Sequence, residues 1–222
     1  MNEQTKKIAK EFKKNMQQIA DEGNCTISVS SNIDGKRSEE RVIATPKNTE
    51  APKPEIEEIS TKEKNSSQDL KISKIKYDGT QVEIQYEIVM ETTDDIKVVL
   101  KSYDKPKEEF ILCLSSLAKF VEDICQLEKG YCDEADIRGV SLSWSHDIMG
   151  AVITALIPVD TANSPVCLNT PHLPSEQYNE NGQSPVLPRA CTTKINQLIE
   201  HAEAYINGDR DIPEDNQIKM DI

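Results

Sequence analysis

Few residues in this chain can do acid–base or nucleophilic chemistry, and they are scattered. There are three histidines, His146, His172 and His201. His172 is the best placed for catalysis, because it follows Cys167 in a stretch rich in Pro, Asn and Ser. An imidazole beside a thiol can take its proton and leave a thiolate nucleophile. A Cys167–His172 pair would therefore suit a hydrolytic or small-ligand pocket in the 160–189 loop. The plainer reading is a solvated loop histidine near an edge-strand thiol. His146 falls in a hairpin turn and His201 on the polar side of the last helix, neither beside a nucleophile.

The six cysteines stand at 25, 113, 125, 132, 167 and 191. No Cys-x-x-Cys or paired-His motif is present, so the usual zinc-ligand spacing is missing. Cys125, Cys132, Cys167 and His172 would have to be gathered by the fold, and buried thiols acting as small hydrophobes are the simpler expectation. Asp133, Glu134 and Asp136 form an acidic cluster that reads as a solvated loop. The eight glycines stand singly, which makes no phosphate-cradling loop. Gly-x-Ser-x-Gly is absent. We therefore expect no cofactor, no metal and, on balance, no enzyme.

A net charge of −13 argues against nucleic-acid binding over the whole surface, since that affinity comes from Lys and Arg displacing counterions. A local groove would need Lys71, Lys74, Lys76, Lys97 and Lys101, which fall on two strands of the main domain. Trp144 and Tyr131 could stack bases, but alternation puts Trp144 in phase with Val140 and Leu142, pointing inward. The acidic tail ending Met220-Asp221-Ile222 has the composition of tails found on single-strand-binding proteins. The first residues show no apolar h-region, and no run reaches the roughly 18 apolar residues of a membrane span. Reduced thiols, a cytoplasmic setting and no membrane partner are expected.

The elements that must position these residues divide the chain into four parts. Residues 1–44 hold an amphipathic helix, with Ile8, Phe12, Met16 and Ile19 on one face, and a small hairpin pairing Thr26–Ser30 with Arg41–Ile43. That helix is a candidate protein-docking element. Residues 45–68 carry Pro46, Pro52 and Pro54 among Lys, Glu and Ser, and too few apolar residues to offset the entropy of ordering, so they read as a disordered linker. Residues 69–208 form the core domain, and residues 209–222 are an acidic tail.

Within the core, Leu70–Tyr77, Gln81–Glu91 and Ile96–Ser102 read as a three-strand meander. The second alternates strictly, with Val82, Ile84, Tyr86, Ile88 and Met90 on one side. Lys107–Lys129 reads as one long helix stopped by Gly130, apolar enough to be buried on more than one side. Asp136–Ile157 reads as a central hairpin turning around Ser145–Asp147. Its return strand is apolar on both sides, which predicts cover on both faces. Val166–Leu168 is a short edge strand. Thr192 or Thr193 caps a last helix that ends at Gly208. The expected fold is α+β: an antiparallel sheet of about five strands in β-β-β-α-β-β-α order, two packed helices, and a flexible N-terminal helical arm.

The stretch Gly139–Trp144, the aliphatic return strand, Leu168-Asn169-Thr170-Pro171 and Ala204-Tyr205-Ile206-Asn207-Gly208 together resemble an uncharacterised family of bacteriophage- and prophage-encoded proteins, over roughly residues 70–208. That resemblance implies a host bacterial cytoplasm and a small accessory role near replication or counter-defence. The leading expectation is a non-enzymatic accessory protein that binds a macromolecule, most readily a protein, and that self-associates. A single-stranded nucleic-acid binder and a pocket at the 160–189 loop are the alternatives.

Overall fold

His146 and Asp147 both take positive φ, 50° and 64°, the pair that a two-residue type I′ turn requires and that matches the twist of the strands it joins. They close the central hairpin where the sequence placed it. The computed structural model describes residues 25–33, 36–43, 70–88, 96–159, 163–178 and 184–211. In chain order these hold β1 (Cys25–Ile33), β2 (Lys36–Ile43), β3 (Leu70–Tyr77), β4 (Val82–Ile88), β5 (Ile96–Ser102), α1 (Glu108–Ser115), α2 (Ala118–Cys125), β6 (Asp136–Ser145), β7 (Ile148–Ile157), β8 (Val166–Asn169), β9 (Leu173–Pro174) and α3 (Arg189–Ile206). The expected helix carrying Ile8, Phe12, Met16 and Ile19, the linker 45–68 and residues 212–222 of the acidic tail lie outside the described residues.

The fold is mixed α+β and built on an antiparallel sheet. The described strands number nine where about five were expected. The chain clusters into two compact units, Met1–Lys71 with Tyr86–Val99, and Ile72–Gln85 with Leu100–Ile222. In the first, β1 pairs antiparallel with β2, Ile27 opposite Val42, and the strand order is β2-β1-β5-β4. Ile27 is buried there. In the second the order is β5-β4-β3-β6-β7-β8, and β9 also pairs with β7.

The core of the second unit lies on one face of its sheet. Alternation sends Val82, Ile84, Leu100, Val140, Leu142, Ala151, Ile153, Ala155 and Ile157 to that face, all buried. The helices supply Phe110, Leu114, Leu117, Val121, Ile195 and Leu198. Phe110 meets Tyr77 edge-on at 6.5 Å and Tyr205 at 6.2 Å, joining strand, α1 and α3. Tyr205 donates its hydroxyl to the Asp104 carbonyl at 2.7 Å, and Arg210 pairs with the Asp104 carboxylate.

Three local expectations are corrected. The long helix is two, broken at Ser116–Leu117. Ser115 and Ser116 donate their hydroxyls to the Ile111 and Cys113 carbonyls, a local bond that competes with helix continuation. Leu112, on the helix expected to be buried on more than one side, is 59% exposed. The second helix stops at Gln126, in the left-handed region, and Leu127 N–H closes on the Glu122 carbonyl. Gly130 serves the following turn instead. The last helix starts earlier, at Arg189. Pro188 stands at its cap position, so Thr193 lies inside the helix and its hydroxyl bonds back to the Arg189 carbonyl. Gly208 ends this helix as expected, at φ 93°.

Trp144 also departs from expectation. Its phase is that of Val140 and Leu142, but it lies near the hairpin tip and is 37% exposed. Its indole N–H donates to the Ile72 carbonyl at 2.9 Å, the partner that a half-covered indole needs. The ring is held as part of the fold, which leaves it poorly suited to stack a base.

Candidate functional site

The other face of the second unit's sheet carries the groups that could do chemistry. Its register is fixed by Lys74 opposite Ser141, Ser141 opposite Val152, Ser143 opposite Gly150, and Thr154 opposite Asn169. Lys74, Ser141, Ser143, Val152, Thr154, Leu156 and Asn169 therefore share that face. Ser141 and Ser143 are exposed, whereas Ile148, Val152, Thr154 and Leu156 are half-buried. The expectation that the return strand is covered on both sides holds for one face only.

His172 reaches this face, and its partner is Ser143. Ser143 Oγ and His172 Nε2 are 2.7 Å apart. The pair sits directly over Gly150, where a Cβ would stand 2.3 Å from His172 Nε2 and 2.7 Å from Ser143 Oγ. Glycine at this point in β7 is thus what lets the histidine close on the serine. Cys167 is elsewhere. It pairs with Leu156, about six residues along β7 from Gly150 and so roughly 20 Å away at the strand rise. The proposed Cys167–His172 nucleophile is not assembled.

Among the described residues no carboxylate is bonded to His172. A Ser–His contact lacking an orienting third group and converging oxyanion donors has only part of what acyl transfer requires. The bond more simply ties the strap after β8 to the hairpin. Ser175 N–H to the Met149 carbonyl, at 2.6 Å, and Leu187 N–H to the Pro174 carbonyl, at 2.9 Å, tie the same strap. His146 Nδ1 lies 3.2 Å from Ser145 Oγ in the exposed turn.

The lysines of the expected basic groove are mostly matched by carboxylates. Lys74 and Lys101 both reach Glu83, at 3.0 and 3.3 Å. In the first unit Lys97 pairs with Glu87 at 2.7 Å. Lys76 is exposed opposite Gly139, and Lys71 is half-buried. Three of the five lysines thus share two carboxylates, which weakens the attraction they offer to phosphates.

Burial works to raise the Glu83 carboxyl, but hydrogen bonds from Lys74 and Gln85 and the nearby Lys101 outweigh it and hold the pKa at about 2, against an ordinary 4.5. The folded value lies below the unfolded one. Glu83 therefore stabilises the fold fully above about pH 4.5, and that contribution is lost as pH falls toward 2. We expect acid unfolding to begin in this window, and Glu83→Gln to flatten the pH dependence there when unfolding midpoints are followed by circular dichroism.

The thiols divide by environment. Cys113, Cys132 and Cys191 are buried, Cys125 is half-buried and Cys167 is exposed. Burial pushes the first four thiols up, Cys191 to about 11, so they are poor nucleophiles at neutral pH. Among the described residues no group of three or more His, Cys, Asp or Glu side chains is placed to hold a metal ion. Asp136 of the acidic cluster is instead paired with Arg138 at 2.9 Å. No described helix is long and apolar enough to cross a membrane.

No family model, curated protein or solved structure matches the chain. Its function must be read from this face alone. Sequence reasoning did not select Ser143 or Gly150. The signal available was the small residue opposite a serine one turn-length from the hairpin tip, and it becomes meaningful only once the strap brings His172 across.

Proposed function

We propose that this chain is a non-enzymatic, phage-type accessory protein that binds another protein through the exposed face of its sheet. One observation carries the reading: Ile148, Val152 and Leu156 form an apolar row on β7 that faces away from the helices and is only half-buried. Fully burying such a side chain is worth about 1.5–3 kcal/mol; these three are already largely covered, so a partner gains a fraction of that at each and must add contacts around the row. The polar rim of Ser141, Ser143, Thr154 and Asn169 supplies hydrogen bonds around it, as in protein–protein interfaces. The ion-paired lysines weigh against single-stranded nucleic acid as the partner, and the divided Cys167 and His172 weigh against a pocket in the 160–189 loop. The resemblance over residues 70–208 supports a bacterial host as the source of the partner.

The test is affinity capture from bacterial lysate with the wild-type chain and with Leu156→Lys. Leu156 lies on the exposed face, so the longer side chain can reach solvent without entering the core. The expected result is a discrete protein retained by the wild type and lost from the variant by at least about tenfold, corresponding to some 1.4 kcal/mol. Equal capture by both chains would rule this face out.

A further inference from the structure

We propose that the chain forms a two-fold symmetric dimer by antiparallel pairing of β8 with β8 of a second copy. β8 ends the strand order, and the phase of its ladder tells which backbone groups point outward. Thr170 N–H donates to the Ile153 carbonyl at 3.0 Å and Ile153 N–H donates to Thr170 Oγ1 at 2.9 Å, so Thr170 stands at a bonded position opposite Ile153. In an antiparallel ladder such pairs alternate with non-bonded ones. Val166 and Leu168 therefore turn their backbone groups toward β7, and Cys167 and Asn169 turn theirs outward.

These outward groups complement themselves. A two-fold axis through Leu168 sets Cys167 opposite Asn169 of the second copy, and Asn169 opposite its Cys167. All the outward N–H and C=O groups of both residues are then paired, without remainder. Pro165 and Pro171 bound the strand, so this short ladder is also a complete one. Val166 and Leu168 fall in register with Ile157 and Ala155, on the core side of the sheet. Val166 is nonetheless 51% exposed, and across the axis it would continue the apolar layer.

Charge selects a second copy as the occupant. Two chains of net charge −13 repel over most of their surface. From Thr161 to Ser175 there is no Asp, Glu, Lys or Arg. Edge strands are blunted by shortness, proline or charge; this one is short and bounded by prolines but carries no charge. It is where two like copies meet with least repulsion. This edge is distinct from the β7 row, and the test reads the mass of the chain alone rather than capture of a partner.

Cys167→Pro removes one outward N–H and no bond to β7, and proline is tolerated on an edge strand in that orientation. Light scattering coupled to size exclusion should give a dimer for the wild type and for Cys167→Ser, and a monomer for Cys167→Pro that still unfolds cooperatively, its midpoint independent of concentration where that of the wild type is not. In a Cys167→Ser background, Leu168→Cys puts the new thiol opposite itself as a non-hydrogen-bonded pair, with Cα atoms roughly 4.5 Å apart and within disulfide reach. Mild oxidation should then yield a reducible crosslinked dimer, and this crosslink decides the matter should Cys167→Pro fail to fold. A wild-type monomer at the highest soluble concentration, a Cys167→Pro dimer, or an absence of the crosslink overturns the proposal.

Discussion

Gly139→Ala is expected to cost about 3 kcal/mol and to lower the thermal unfolding midpoint by roughly 10 °C. A Cβ there would stand 2.3 Å from the Ile75 carbonyl oxygen, 3.0 Å from Lys76 Cα and 3.2 Å from the Ile75 carbonyl carbon. These are backbone atoms of β3, and they cannot swing aside as a side chain would. Gly139 pairs with Lys76 just after the register shift between Ile137 and Gly139 that leaves Arg138 as the extra residue of a bulge. The close approach of β3 to the bulged strand is what the glycine permits. Relief requires β3 and β6 to part, which would loosen the pairing that joins the hairpin to the rest of the sheet. Gly79→Ala is the control. It carries the strain of φ 93° but meets nothing within 4 Å, so its effect is confined to the turn. Equal melting of Gly139→Ala and wild type would show that the β3–β6 register is not the one described.

Leu117→Ala is expected to cost 2–5 kcal/mol, roughly the range for emptying a well-packed leucine site. Leu117 is 0% exposed at the junction of α1 and α2. The bonds that hold that junction, from Leu117 N–H to the Leu114 carbonyl and from Phe120 N–H to the Leu117 carbonyl, are main-chain and survive the substitution. The loss is therefore one of packing. Leu112→Ala on the same apolar stretch should change stability by less than about 0.5 kcal/mol, because Leu112 is 59% exposed. Urea titrations should show the midpoint falling for Leu117→Ala with an unchanged slope. Similar costs at the two sites would mean that the helix is buried on both sides after all.

The contrast between these two leucines marks where sequence reasoning stops. Period-two alternation in Gln81–Glu91 and a turn around Ser145–Asp147 are local signals, and they led to the strand Val82–Ile88 and the hairpin turn at His146–Asp147. The hairpin pairing Thr26–Ser30 with Arg41–Ile43 was also legible, from the alternation of its first strand. Apolar content on Lys107–Lys129 could not say which side would meet the core, because the break at Ser116 depends on hydroxyl-to-carbonyl bonds that periodicity does not register. The hairpin's return strand read as covered on both faces for a similar reason: Val152 and Leu156 are as apolar as Ile153 and Ile157, and only the packing of the helices on one side distinguishes them. The site was less legible. Cys167 and His172 are neighbours in sequence, yet the strap carries one to Leu156 and the other to Gly150. The lysines counted as a groove are spaced correctly on their strands, but Glu83 stands between two of them.

The most direct test of the proposed function is hydroxyl-radical footprinting of the chain alone and with its captured partner. Oxidation of Ile148, Val152 and Leu156 should be measurable in the free chain, since these side chains are only partly covered, and should fall on binding, while Leu112 and Tyr131 keep their reactivity. Unchanged oxidation of the β7 row, with protection appearing elsewhere, would contradict the assignment of this face as the binding surface.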